Sequence, residues 1–540
     1  LAGQPPAAPG STAPPAAESA WAPLRHPVFR WLWLGLLVSS VGTWMQTVGA
    51  QWYLVNAPNA STLVALVQTA STLPVVLLAL PGGVLADSLD RRWLLLCVQV
   101  YLLAVGALLA VLTALGGMPP GLLLAFTFAL GAGVAVQGPT WQAIIPELVP
   151  RAQLKAAAAL GSVSVNVARA LGPAIAGVVI ALLGVPAVFA ANGLSVVPLG
   201  LALLLWRRPA EEDSDGRERF LPALRAGGRY VRFSATVRRL LARAALFIAP
   251  AMSLWALLPL IATQRLHLGA SGYGVLLAAL GVGAIAGVFV LAPLRRLLSS
   301  NRMIGAASLL FGVALALVAV VSSFPLTLAV LLLAGVAWVA VLSTLNAELQ
   351  LFLPAWVRAR ALAVYLVVLF GSQAAGAFLL GLLAQHAGLQ AALFLSALVM
   401  AGGVGAGAVW PLQDTSRADP RTVVYWPEPN LAFEPEPDSG PVVVLVEYSI
   451  PRDREPAFLE AMESLRRSRL RTGATRWDLL RDGERPRRFV EVFTVPSWEE
   501  HLRQHEGRLT GTDQEIEERA SSLSDPAPRV EHLFPPEASP

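Results

Sequence analysis

Twelve apolar runs of roughly 20 residues or more constrain this chain most, because each is long enough to cross a ~30 Å hydrocarbon core as a helix. They lie near residues 31–55, 62–86, 93–115, 121–145, 154–183 and 185–206, and again near 240–263, 271–294, 303–323, 326–349, 359–386 and 389–410. Turn formers fill the gaps, as in Pro58-Asn59, Gly184 to Pro186 and Phe324-Pro325. Composition agrees: 55% hydrophobic and 14% charged is too apolar for a soluble chain of 540 residues.

Cations set the orientation. The loops joining spans 2–3, 4–5, 8–9 and 10–11 hold Arg91, Arg92, Arg151, Lys155, Arg295, Arg296, Arg302, Arg358 and Arg360, while the six opposite loops hold only Arg265. That bias puts both termini in the cytoplasm, and arginine in place of lysine with abundant Ala and Gly suggests a bacterial chain, hence an inner (plasma) membrane protein. The net charge of +5 thus reflects arginine at membrane edges, and no motif points to nucleic acid. Cys97 is the only cysteine, which excludes a disulfide and a thiolate metal site, and no cofactor or metal is expected. Residues 1–23 are largely Ala/Pro-rich and expected to be disordered, without the features of a secretory signal.

The two sets of six spans repeat. Gly83-Val84-Leu85-Ala86-Asp87-Ser88-Leu89-Asp90-Arg91-Arg92, after the second span, returns 204 positions later as Gly287-Val288-Phe289-Val290-Leu291-Ala292-Pro293-Leu294-Arg295-Arg296. Gly131 and Gly335, Pro150 and Pro354, Gly172 and Gly376, Gly177 and Gly381, and Gly184 and Gly388 share that offset. A set of matches at one offset implies two six-helix bundles, residues 24–206 and 240–410, related by a pseudo-twofold axis along the membrane normal. Residues 207–239 form a basic cytoplasmic loop, whose amphipathic stretch around Phe220 to Phe233 is expected on the inner membrane surface.

Polar residues inside the spans are candidates for transport. Asn166, Arg169 and Pro173 share one face of the fifth span, and Arg169 lies near mid-bilayer, too deep to snorkel. An arginine there should face the bundle interior or a wet cavity. It would hold an anionic or polar substrate or serve a coupling relay; alternatively, helix carbonyls and Asn166 satisfy it and it serves packing. Its repeat mate is Gln373. Gly283-x-x-x-Gly287 offers a close-packing face on the eighth span. No Asp, Glu or His falls near the middle of any span. Protons are a candidate coupling ion, with Glu348 the best-placed carboxylate. At the hinge, Asp87 can cap a neighbouring helix, and Arg91 or Arg92 can pair with an acid on another.

Twelve spans, a 6+6 repeat and Gly83-x-Leu85-Ala86-Asp87-x-x-x-Arg91-Arg92 resemble the major facilitator superfamily over residues 24 to 412. Ser88 and Asp90 depart from its usual Arg and Gly, which bears on the local salt bridges. The resemblance implies an all-α membrane fold of twelve helices. It also implies a cytoplasmic latch at the hinge, with Glu147 and the start of the eleventh span as partners. Gly172-Pro173 with Gly177 resembles the fifth-helix motif of drug/proton antiporters, which favours export over uptake. Spans 1, 4, 7 and 10 would line the cavity, offering Ser39, Thr43 and Gln46; Gln137 and Thr140; Ser253 and Trp255; and Ser343 and Asn346. Each polar group has an alternative role as an interhelical hydrogen bond.

After a Pro-rich linker, 411–440, composition turns soluble across residues 441–540. Val442 to Tyr448, Glu455 to Arg471, Arg476 to Leu480, Arg488 to Val495, Trp498 to Arg508 and Val530 to Phe534 read as βαββαβ, an α+β ferredoxin-like order. The pattern resembles the antibiotic-biosynthesis-monooxygenase type of dimeric α/β-barrel domain, so a homodimer through this tail is a candidate assembly. His501 and His505 share a helix face, but without a clear further ligand they read as solvated or interface residues. The whole resembles the bacterial transmembrane secretion effectors, near the enterobactin exporters. That implies a secondary active exporter of small amphipathic organic molecules (drug, siderophore or secondary metabolite), not an enzyme. The alternatives are a transporter coupled to an oxygenase-like or ligand-sensing tail, and a solute importer.

Overall fold

Lipid offers a spanning backbone no hydrogen-bond partner but itself, so the apolar runs close their bonds as helices. The structure is a computed structural model describing residues 19, 21–206, 220–412 and 431–536, without the side chains of residues 79, 80, 84, 86–88, 220–226, 355 and 359. Most of the N-terminus and linker expected from sequence lies outside the described residues, as do residues 207–219 of the middle loop.

The first half comprises α1 (Pro27–Leu54), α2 (Ala60–Ser88), α3 (Arg91–Ala114), α4 (Pro120–Leu148), α5 (Leu154–Leu183), α6 (Val185–Ser195) and α7 (Val197–Leu205). Helix α8 (Phe220–Phe233) precedes the second half: α9 (Ala235–Leu260), α10 (Ala270–Leu297), α11 (Ser300–Val320), α12 (Phe324–Phe352), α13 (Ala355–Ala387) and α14 (Leu389–Val409). With α6 and α7 counted as one, twelve spans among the described residues are long and apolar enough to cross a membrane. The sixth span, continuous by sequence, breaks at Val196, where Pro198 in the first turn of α7 has no N–H to continue the ladder.

The repeat is visible as packing. Gly172 of α5 meets α1, where an added Cβ would lie 2.6 Å from Trp44 Cβ; its mate Gly376 of α13 meets α9, 2.7 Å from Ala249 Cα. A Cβ added at Gly131 of α4 would lie 2.8 Å from Ser71 O of α2, and one at Gly335 of α12 would lie 2.7 Å from Ala284 N of α10. Across the halves, a Cβ at Gly177 of α5 would lie 2.7 Å from Ala270 O of α10, and one at Gly381 of α13 would lie 3.0 Å from Ser61 O of α2. Helices that close have no room for a side chain, which is why glycine holds these positions. Helix α9 is the most enclosed, buried at every residue from Ala251 to its end.

The tail is β1 (Val442–Ser449), α15 (Glu455–Thr472), β2 (Arg476–Arg481), β3 (Arg488–Val495), α16 (Trp498–Arg503), α17 (Gly511–Ser522) and β4 (Arg529–Leu533). Its strands lie in the order β2-β3-β1-β4, all antiparallel, the ferredoxin-like arrangement. Val442, Val444, Val446 and Tyr448 of β1 alternate inward against Phe458, Met462 and Leu465 of α15.

Helix α8 packs between the start of α13 and α15 of the tail. Tyr230 is buried edge-on to Trp356, with ring centroids 5.7 Å apart, while the Arg471 guanidinium sits 5.7 Å from the Tyr230 ring. An amphipathic face can be covered by lipid or by protein, and within residues 227–233 protein buries Tyr230 and Val231.

Candidate functional site

The halves enclose a cavity of about 560 Å³. Its wall is built from one face of α5 (Val165, Asn166, Arg169), one face of α12 (Trp338, Leu342, Ser343, Asn346, Gln350) and α13 (Leu362, Tyr365, Leu369). Trp338, Leu342, Asn346 and Gln350 recur every fourth residue, so one side of α12 supplies an aromatic floor and amide rim. Gln350 donates to Asn346 Oδ1 at 3.1 Å, and Asn166 donates to Ser162 O at 2.9 Å. The Arg169 guanidinium lies 5.6 Å from the Trp44 ring, and its Nε is buried with no hydrogen-bond partner.

The cavity is sealed at the end away from the hinge. Gln51 of α1 donates to Trp255 O at 3.1 Å and accepts from the Tyr273 hydroxyl at 2.6 Å. Thr69 of α2 donates to Ala374 O of α13 at 3.0 Å. Toward the arginine-bearing end, Gln350 and Leu362 still line open space.

Other candidates sit elsewhere. Thr43 and Gln46 border a separate void of about 60 Å³ inside the first half, where Gln46 donates to Thr127 at 3.3 Å and Thr43 to Ser39 O at 3.0 Å. Gln137 accepts from Gln99 at 3.3 Å and is buried in the same half. Trp255 is buried behind the floor, its ring 4.4 Å from that of Trp338. Glu348 accepts a hydrogen bond from Ser300 within the second half, and Gln373 lies one turn beyond Leu369, outside the lining. Thr43, Gln46, Gln137 and Glu348 each hydrogen-bond within their own half. Trp338 was missed, although it lies eight residues before Asn346 on one face.

At the hinge, Arg91 donates to Glu147 of α4 at 2.6 Å. Arg92 instead caps the end of α7, donating to Leu203 O at 2.8 Å and Leu204 O at 2.9 Å. Asp90 accepts from Trp93 N at 3.0 Å as the N-cap of α3, which accounts for a carboxylate at a position where the superfamily often has glycine. The Asp87 side chain lies outside the described residues, and a side chain at Gly83 would meet nothing within 4 Å. In the repeat, Arg295 donates to the cavity's Ser343 at 2.9 Å. Pro173 brings its carbonyl against Gly274 of α10, whereas Gly283 and Gly287 pack on α12 within the second half.

In the tail, His501 and His532 face each other, Nε2 to Nε2 at 3.1 Å, with His505 edge-on to His501. Burial, aided by the charge of His532, pushes His501 down to about 3. Among the described residues, no group of three or more His, Cys, Asp or Glu is placed to hold a metal ion.

Twelve spans in two equivalent halves around one cavity define a membrane transporter of the major facilitator superfamily. More particularly, the chain belongs to the transmembrane secretion effector family, whose model matches residues 18–539. It is 26% identical over 277 residues to the staphyloferrin A transporter of Staphylococcus aureus, covering 51% of this chain and 69% of that protein. It is 26% identical over 377 residues to the multidrug efflux pump Tap of Mycolicibacterium fortuitum, covering 67% and 91% respectively. Macrolide efflux protein A of Streptococcus pyogenes is 23% identical over 235 residues, 43% of this chain and 58% of that protein. Among solved structures, a bacterial homologue of the human lysosomal transporter Spinster shares the fold, with a TM-score of 0.55 at 16% identity over 72% of this chain and 95% of that one.

Proposed function

We propose that the chain exports small amphipathic organic molecules across a bacterial plasma membrane by alternating access, with both termini cytoplasmic. One observation carries the reading: a cavity between the halves that is closed at one end and open at the arginine-bearing end, which the positive-inside bias makes the cytoplasmic one. Asn166, Arg169, Trp338 and Asn346 form the substrate site. The Arg91–Glu147 pair, with Asp87 and Gly83, forms the gate that re-forms against the second half when the cytoplasmic end shuts. Gly172, Pro173 and Gly177 give α5 a close-packed pivot on α1 and α10. Protons are the proposed coupling ion, and Glu348 and Gln373, both outside the cavity, remain candidates for that step. The names of the relatives, a siderophore transporter and two drug efflux proteins, support the cargo class.

The tail is read as a ligand-sensing or dimerising module. Its docking against α8 and α13 supports the sensing role, and the sheet face away from the helices, with Val443, Leu445, Val490 and Val492, suits pairing with a second copy. The test of export is accumulation in everted vesicles energised with a proton gradient, using a panel of macrolide, dye and siderophore probes. Gradient-dependent loading that an uncoupler abolishes is expected. Accumulation only in right-side-out vesicles would establish uptake instead.

A further inference from the structure

Among the described residues that line the central cavity, Arg169 is the only ionisable side chain apart from the Tyr365 phenol; the rest of that lining is apolar, aromatic, amide or hydroxyl. A further charge at that lining is also positive, Arg295 at the Ser343 hydroxyl. A buried cation in a membrane protein ordinarily has a carboxylate or a set of carbonyls to compensate it. No described residue hydrogen-bonds or ion-pairs with Arg169, its Nε is buried and unpartnered, and its guanidinium carbon lies 5.6 Å from the centre of the Trp44 ring.

From this we infer that the transported molecules are organic anions, held by a carboxylate on Arg169 and a flat apolar body on Trp338 and Tyr365. The inference rests on the reading of this cavity as the transport site. With its guanidinium near the Trp44 ring and no described residue hydrogen-bonded to it, Arg169 has forked donors to offer a carboxylate. The same charge, in a cleft with low-dielectric walls, repels an organic cation. Arginine does not release its proton in proteins, so Arg169 cannot act as a proton carrier; what it can do is hold a counter-ion. With no acid among the described lining residues, the substrate is the source of that counter-ion. Asn166, Ser343 and Asn346 then read uncharged polar substituents on the substrate.

The test uses three probes that share one aromatic body: pyrenebutyrate, pyrenebutyramide and pyrenebutylammonium. Their binding to the full-length protein in nanodiscs is followed by pyrene anisotropy. The anion is expected to bind about tenfold or more tighter than the other two, the contrast one desolvated charge contact supplies. Arg169→Gln should abolish that preference by weakening the acid alone, and Arg169→Lys should keep part of it. Asn346→Asp, which adds a carboxylate to the same wall without touching Arg169, should move the preference toward the ammonium. Equal or tighter binding of the amide or ammonium by the wild type overturns the inference. So does an acid affinity unchanged in Arg169→Gln, or no binding of pyrenebutyrate at all. Everted vesicles separate this from the export reading: pumping of the ammonium but not the acid sinks the anion inference alone, whereas loading only in right-side-out vesicles sinks export and leaves the binding ratio standing.

Discussion

His501 is buried beside His532, with Gln504 at its Nδ1 and Arg469 close enough to add to its electrostatic penalty. Unfolded, it titrates near 6.5; folded, burial and its positive neighbours push it down to about 3. The unfolded tail therefore takes up a proton that the folded tail refuses, so this stability is whole above pH 6.5 and drains away as the pH falls toward 3. Amide protection of the tail in the full-length protein, corrected for intrinsic exchange, should fall by up to about 1.4 kcal/mol per pH unit in the middle of that window, and by about half as much per unit near its upper end. His501→Phe should flatten the slope, and an unchanged slope would assign it to other groups. At this scale the sequence was legible where depth alone decides: Arg169 was placed in the interior because a mid-span arginine has nowhere else to go. It was not legible for Gln46, Gln137 and Glu348, since whether an amide or acid turns toward the cavity or a neighbour depends on a helix rotation that periodicity does not fix.

Elements were more readable than residues, because a shared offset reports a shared environment. Gly172 and Gly376, and Gly177 and Gly381, occupy equivalent crossings in the two halves, so symmetry of sequence became symmetry of contact. The crossings of α5 with α10 and of α13 with α2 close the end away from the hinge. A side chain there should prise that end open. Gly381→Leu is expected to cost the closed arrangement about 1–3 kcal/mol by overpacking. In a Cys97→Ser background, Thr69→Cys should then react faster with an impermeant maleimide from outside; equal rates would mean that this crossing does not set closure. The break at Val196 was not foreseen, because Pro198 within an apolar run permits either a kink or a new start.

At the scale of the whole molecule, α8 ties the tail to the second half. Arg508 spans Glu500 at 2.6 Å and the Trp356 ring at 4.9 Å, Arg229 reaches Glu500 at 3.3 Å, and Tyr230 fills the space between. Tyr230→Ala should remove about 3 kcal/mol of packing from this junction. Hydrogen exchange in residues 227–233 is then expected to rise while the sheet stays protected; unchanged exchange would show that the junction does not depend on this ring. Nothing in the amphipathic pattern of α8 distinguished a lipid surface from a protein groove, and only the tail's own fold supplies the groove.

One mechanical result follows from that junction. In the proposed rocking cycle, a module fastened through α8 to the eleventh span would travel as a passenger of the second bundle, so the first bundle would swing against a heavier, braced partner. Joining two such modules sheet to sheet would yoke the braced bundles of two copies and leave each first bundle to swing alone.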